Sequence, residues 1–226
     1  MDGKVVVVTG ALGALGKVVA DVALARGARV AGVDHAASQI PATGNRIDVG
    51  GVDLSDPAQA KTAIDAIAAH FGRLDALLNI AGGFAFETVA EGDPNTWQRM
   101  YALNVLTALN ASRSAIQHLS ASSAARIVNV GAMGALLAGP GMGPYAESKA
   151  GVHRLTEALA AEWKGKITVN AVLPSIIDTP ANRASMPKAD YGKWVTPQEL
   201  ANVILFLAGD AASAITGALL PVSGRV

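Results

Sequence analysis

Val5-Val6-Val7-Val8-Thr9-Gly10-Ala11-Leu12-Gly13-Ala14-Leu15-Gly16 is the most informative run in the chain. Four consecutive β-branched residues read as a strand buried on both faces, since a strand with one wet face would alternate apolar with polar. A glycine-rich turn follows at once. Lys17 to Arg26 then has helical spacing, with Gly27 as its stop. In such a corner, glycines let the backbone turn tightly and approach a pyrophosphate. The helix N-terminus adds free N–H groups and a partial positive charge. Glycine also serves plain turns, so the motif takes its meaning from the strand before it and the helix after it.

Outward from that corner, strand and helix patterns alternate. Arg29 to Val33 and Ile47 to Val52 read as strands. Ser55-Asp56-Pro57 opens a helix to about Phe71, with a cap residue followed by proline. Leu74 to Ile80 is a fourth strand, and Asp93-Pro94 opens a long helix to about Leu119. Arg126 to Val130 is a fifth strand, followed by a glycine-rich loop from Gly131 to Gly143 and a helix from Pro144 to about Trp163. Ile167 to Leu173 is a sixth strand. Residues 174–195 hold three prolines and no clear period, and read as a loop or lid. Thr196-Pro197 starts a last helix, and Ala218 to Val222 is a seventh strand. The pattern predicts an α/β fold of the Rossmann type. The expected core is a doubly wound, mostly parallel seven-stranded sheet with helices on both faces. One domain over residues 1–226 is expected, with a substrate lid at about 178–195.

Composition narrows the function classes. The 226 residues are 51% hydrophobic and 16% charged, which excludes disorder. Eighteen basic and eighteen acidic residues balance, so no net field favours nucleic acid or an anionic membrane. There is no cysteine, hence no disulfide and no thiol nucleophile. The four histidines, His35, His70, His118 and His153, lack ligand spacing, and no metal site is expected. Apolar runs fall short of the ~20 residues of a membrane span. The first strand begins at Lys4, which leaves no room for a signal peptide, so the expected location is the cytoplasm.

Asp34 closes the second strand, 24 residues beyond Gly10. An acid there accepts both hydroxyls of an adenosine ribose and repels a 2′-phosphate. No Lys or Arg in the glycine turn or beside Asp34 rescues that phosphate, so NAD is expected over NADP. Asp34 as a plain strand-end turn residue is the alternative. Asp53-Leu54 and Asn79-Ile80-Ala81-Gly82 follow the third and fourth strands and complete this edge.

Tyr145 and Lys149 lie four apart at the start of a helix and so share one face. An ammonium beside a phenol favours the phenolate and lowers the tyrosine pKa. The tyrosine would then exchange a proton near neutral pH. Such a pair is often only a solvated helix face. Its position after the fifth strand, at the same sheet end as the glycine turn, argues for function.

The motifs Thr9 to Gly16, Asp34, Asn79 to Gly82, Asn104, Tyr145-Ala146-Glu147-Ser148-Lys149 and Pro174 to Thr179 fall in one order. That order resembles the short-chain dehydrogenase/reductase family over nearly the whole chain. The resemblance implies that Tyr145 donates or accepts the proton. It implies that Lys149 binds the nicotinamide ribose and tunes the tyrosine, and that Asn104 holds a proton-relay water. An ordinary polar helix residue is the plainer reading of Asn104. Pro174, Ile177 and Thr179 would contact the nicotinamide carboxamide. The implied dinucleotide site comprises Gly10, Gly13, Leu15, Gly16, Asp34, Asp53, Leu54, Asn79, Ala81, Gly82, Tyr145, Lys149, Pro174, Ile177 and Thr179. Family members commonly pair as homodimers or homotetramers through helices such as 94–119 and 144–163.

Three departures stand out: Ala14 where many members have the middle glycine, Ile80 for a second asparagine, and Ala132 for the family's serine, thirteen residues before Tyr145. An ordinary ketone loses a hydrogen bond there. The quinonoid dihydropteridine reductase branch also lacks that serine. Gly131-Ala132-Met133, Pro140-Gly141-Met142, Gly151 to Leu155 and Asp178 to Arg183 resemble its segments. The expected function is therefore NADH-dependent reduction of a small molecule, with a quinonoid dihydropteridine as one substrate. Another activated carbonyl, imine or quinone is the alternative. A non-catalytic NAD(H) sensor is the reading from a different class. Phe84, Phe86, Met133, Met142, Met186 and Trp194 are candidates for either the substrate cleft or the core. Trp97 and Trp163 are expected between helices, and His118 and His153 as surface or satisfied side chains.

Overall fold

β1 (Val5–Thr9) runs through the middle of the computed structural model, which describes residues 1–226. Its side chains alternate between two cores. Val5 and Val7 pack with Ile64, Ile67 and Leu119 on one face, while Val6 and Val8 pack with Val19, Leu200 and Ile204 on the other. All four valines are fully buried, which explains the unbroken apolar run. Each contributes roughly 1.5 kcal/mol or more by leaving water.

β2 (Arg29–Val33) and β4 (Ala76–Asn79) flank β1. With β3 (Arg46–Val49), β5 (Ala125–Val130), β6 (Ile167–Pro174) and β7 (Leu219–Val222), the order is β3-β2-β1-β4-β5-β6-β7. Every neighbouring pair is parallel, including the last. The winding direction reverses between β1 and β4, and a crevice opens outside the carboxyl ends of strands at such a reversal. α1 (Ala14–Ala25) and α7 (Pro197–Leu207) cover the Val6 and Val8 face. α2 (Pro57–Phe71), α4 (Thr107–Leu119) and α5 (Gly143–Glu162) cover the other, with α3 (Pro94–Tyr101) beside α5.

The cap-and-proline signals mark real helix starts. The Asp56 carboxylate accepts the N–H groups of Ala58 and Gln59, and Asp93 accepts that of Asn95. Thr196 and Glu199 cap α7 reciprocally. The long helical stretch expected over 94–119 is present. A π-helical turn, Ala102–Leu106, lies inside it and divides α3 from α4. Residues 174–195 are also more ordered than a loop. They contain α6 (Pro180–Ser185), whose Thr179 hydroxyl accepts the Asn182 N–H at 3.2 Å, and a short 3-10 turn at Tyr191–Lys193. The Arg183 guanidinium pairs with Asp178 and lies 4.7 Å from the Tyr191 ring centre. No helix is long and apolar enough to cross a membrane.

Candidate active site

The glycine turn is held by steric necessity. Gly10 has φ +64°, and a Cβ there would sit 2.9 Å from Ala81 Cα. A Cβ at Gly16 would lie 2.0 Å from the Gly10 carbonyl oxygen. The Thr9 hydroxyl accepts the N–H groups of Ile80 (3.0 Å) and Ala81 (3.1 Å), clamping the ends of β1 and β4 together. The sequence reading quoted Thr9 within the glycine motif but gave its side chain no role, because that role is to bind backbone. Gly13 caps α1 without a side chain, and the first turn of α1 has no acid. The helix end thus presents N–H groups with no side chain in front of them.

Above this turn lies a cleft of about 1160 Å³. Its lining includes Gly10, Gly13, Leu15, Gly16, Asp34, Asp53, Leu54, Ala81 and Gly82. Tyr145, Lys149, Pro174, Ile177 and Thr179 of the expected set line it as well. Asp34 Oδ2 accepts the Leu12 N–H at 2.8 Å and Oδ1 accepts that of Ala36 at 3.0 Å, which fixes the carboxylate beside the glycine turn. The Ser55 hydroxyl and amide hold the Asp53 carboxyl below its ordinary range. A glycine cradle, an uncapped helix end and a fixed acid fit a dinucleotide's pyrophosphate and ribose.

Two expected residues do not reach the cleft wall. Asn79 is buried in the sheet–helix layer, where its amide donates to Ser112 Oγ (3.0 Å) and Asn129 Oδ1 (2.8 Å). Asn129 continues the chain to Thr156 Oγ1 at 2.9 Å. Asn79 therefore locks β4 to β5 and the helices beneath. Asn104 sits in the π turn. Its Oδ1 accepts the Gly83 N–H (2.9 Å), and its Nδ2 donates to Gly83 O (3.1 Å) and Ser148 Oγ (2.9 Å). It ties the 82–83 turn to α5 as a positioning residue. Nothing in the one-dimensional pattern separates a side chain that faces the cleft from one that builds its rim.

Tyr145 and Lys149 open α5. The Lys149 ammonium donates to Val130 O at 2.8 Å. The Tyr145 hydroxyl bonds no protein group, and its ring meets Phe84 edge-on with centres 4.9 Å apart. Burial reverses the expected effect of the pair. It pushes the Tyr145 phenol up to about 12 and the Lys149 ammonium down to about 8. Desolvating the phenolate outweighs the nearby cation. Tyr145 thus keeps its proton at neutral pH and is set to donate it.

Position 132 offers no replacement for a serine hydroxyl. The Ala132 N–H already donates to His153 Nε2 at 3.3 Å, and the Gly131 N–H to Val172 O at 2.9 Å. His153 is a satisfied buried histidine, as the sequence suggested. Its pKa is lowered by burial and by the charges of Arg154 and Lys149. His118 pairs with Asp65 at 2.8 Å. Phe84, Phe86, Met142 and Met186 line the cleft, and Leu103, Ala181, Asn182 and Ser185 join them. Met133 and Trp194 do not. Met133 sulfur accepts from the Ser223 hydroxyl, and Trp194 is buried beside Tyr191. Trp163 packs on the core, whereas Trp97 remains over one-third exposed with its ring edge against Gly143.

A doubly wound parallel sheet with a glycine cradle at its reversal point, and a tyrosine–lysine pair over the same cleft, defines a dinucleotide-dependent oxidoreductase. The chain belongs to the short chain dehydrogenase family, whose model matches residues 4–190. It is 32% identical to a D-threitol dehydrogenase of Mycolicibacterium smegmatis, over 99% of this chain and 93% of that one. The ligand-free aldohexose dehydrogenase of Thermoplasma acidophilum superposes with a TM-score of 0.89 at 28% identity, covering 99% and 94% of the two chains. The 3-ketoacyl-(acyl-carrier-protein) reductase of Brucella melitensis, complexed with NADH, gives 0.87 at 30% identity and covers 99% and 98%.

Proposed function

We propose that the protein is an NADH-dependent reductase of a small, electron-poor acceptor: an activated carbonyl, imine or quinone. The observation that carries this is the placement of Tyr145 and Lys149 on the same cleft as the Gly10–Gly16 cradle and Asp34. A bound reduced nicotinamide supplies hydride. Gly10, Gly13 and Gly16 with the α1 N-terminus would hold its pyrophosphate, and Asp34 its adenosine ribose. Pro174, Ile177 and Thr179 would meet the carboxamide. Lys149, anchored on Val130 O, would offer its remaining N–H groups to the nicotinamide ribose. Tyr145 delivers its proton to the acceptor atom as negative charge develops there. The absent hydroxyl at position 132 removes a donor that elsewhere is worth about 3–4 kcal/mol, so the acceptor brings its own activation.

NADH is favoured over NADPH because a 2′-phosphate would meet the Asp34 carboxylate, and no Lys or Arg lines that end of the cleft. A quinonoid dihydropteridine is a second reading. The Ala132 position and the Asp178–Arg183 lid sequence favour it. The same reading takes the protein as a cytoplasmic homodimer or homotetramer.

Steady-state NADH oxidation over a panel of acceptors, with parallel fluorescence titration of NADH, tests the proposal. Tyr145→Phe should lower kcat by about a hundredfold or more and leave NADH affinity nearly unchanged. Undiminished turnover in that variant would remove Tyr145 from the reaction. Tight NADH binding with no turnover on any acceptor would favour a sensor.

A further inference from the structure

The substrate half of the cleft has almost no free hydrogen-bond donors. Its polar side chains are turned inward on the protein. The Ser175 hydroxyl donates to Ser223 O at 2.7 Å, and the Ser185 hydroxyl to Asn182 O at 3.0 Å. The Asn182 amide donates to Ile177 O at 2.8 Å, and the Thr107 hydroxyl to Leu103 O at 2.7 Å. Thr179 caps α6. The Ala132 N–H is taken by His153. The charged and titratable side chains of the cleft other than Lys149 and Tyr145 are Asp34, His35 and Asp53, which sit at the far, adenosine end. What remains beside Tyr145 is apolar: Phe84, Phe86, Leu103, Met142, Ala181 and Met186. Phe84 and Phe86 are more than half exposed, an apolar surface that a ligand would cover.

We infer that the substrate is an uncharged, mainly apolar ring ketone activated by a second, conjugated carbonyl in the same ring system. It is gripped by packing and hydrogen-bonded through one oxygen, to Tyr145. This rests on the reductase reading above and narrows its substrate class. A polyol, carboxylate or phosphate ester would leave its polar groups unpaired in this pocket, and buried unpaired groups are what separates substrates most strongly. The edge-on Tyr145–Phe84 corner offers aromatic walls against which a ring can pack. The conjugated carbonyl draws electrons from the reacting carbon and so does the work of the donor missing at position 132. In the reaction the carbonyl carbon gains the hydride that reduced nicotinamide supplies, and the C=O π bond breaks. Its electron pair on oxygen takes the Tyr145 proton, giving the hydroxy ketone and oxidised nicotinamide.

The test is kcat/KM with NADH for four kinds of acceptor: apolar cyclic diketones, including a fused-ring ortho-quinone; a ketose; acetoacetate; and a quinonoid dihydropterin. Cyclic diketones should exceed each of the others by about tenfold or more. A preference for the ketose, acetoacetate or the pterin would overturn the inference and leave the reductase reading standing. Turnover of none of them, with NADH bound, would sink both. Ala132→Ser supplies a second measurement. It should raise kcat/KM for an unactivated cyclic ketone by about tenfold or more while changing that for a cyclic diketone much less. An equal effect on both, or none on the simple ketone, would show that ring activation does not stand in for the missing hydroxyl.

Discussion

Lys149 and Tyr145 carry opposite marks of the same burial. Each loses solvent, so each is pushed toward its neutral form, the ammonium down to about 8 and the phenol up to about 12. The sign of the pH effect follows. Below about pH 8 Lys149 is charged and Tyr145 is protonated, as proton donation requires. As pH rises through about 8, Lys149 loses its charge while Tyr145 still holds its proton. The reductive kcat should therefore fall on the alkaline side of about pH 8, and the limb should move to higher pH in any activity retained by Lys149→Arg. A profile flat to pH 10 would refute the assignment of that limb to Lys149. The pair itself was legible in the sequence, since four-residue spacing on a helix fixes a shared face. The pKa order was not, because desolvation depends on which walls close over the side chains. Asn79 and Asn104 make the same point. Their proximity to the site is written in the chain, whereas their inward rotation depends on Ser112, Asn129, Gly83 and Ser148.

At the scale of elements, the helix starts were legible and the π turn was not. Asp56-Pro57, Asp93-Pro94 and Thr196-Pro197 combine a side-chain acceptor with a residue that lacks an N–H, and both act locally. The turn at 102–106 carries no proline or glycine, so nothing local in Ala102-Leu103-Asn104-Val105-Leu106 distinguishes it from ordinary α-helix. Such bulges often mark functional sites, and here the turn points Asn104 at the 82–83 backbone. The β1–α1 corner yields a prediction at this scale. Gly16→Ala places a methyl group 2.0 Å from the Gly10 carbonyl, so the turn must open. The expected cost is about 1–3 kcal/mol of stability in a denaturant titration, with NADH affinity weakened about tenfold or more. Unchanged affinity would mean that the turn does not cradle the dinucleotide.

For the whole molecule, the alternation of strands and helices was enough to give the sheet, its parallel sense and the two covered faces, because right-handed crossovers leave few alternatives. The parallel pairing of β7 and the order within residues 174–195 depended on tertiary partners: β6 for the strand, and Val222, Ser223 and Arg225, which bond Ser175 and Lys193, for the segment. Trp97 and Tyr101 on α3, each more than one-third exposed, leave apolar surface beside α5. Sedimentation should show a dimer or tetramer, and Tyr101→Glu should shift it toward the monomer. A wild-type chain that sediments as a monomer at every concentration would exclude the pairing.

The Thr9 clamp has a consequence for traffic through the protein. One hydroxyl accepts two amides from the neighbouring strand, and Gly10 nests against Ala81 with no room for a methyl group. The floor of the cleft is thus a close-packed seam between β1 and β4. Thr179, Ala181, Asn182, Ser185 and Met186 border the other side of that cleft, on a segment braced internally by the partly exposed Arg183–Asp178 pair. A substrate that had to displace that segment to enter would turn over no faster than the segment moves, whatever the speed of the chemistry beneath it.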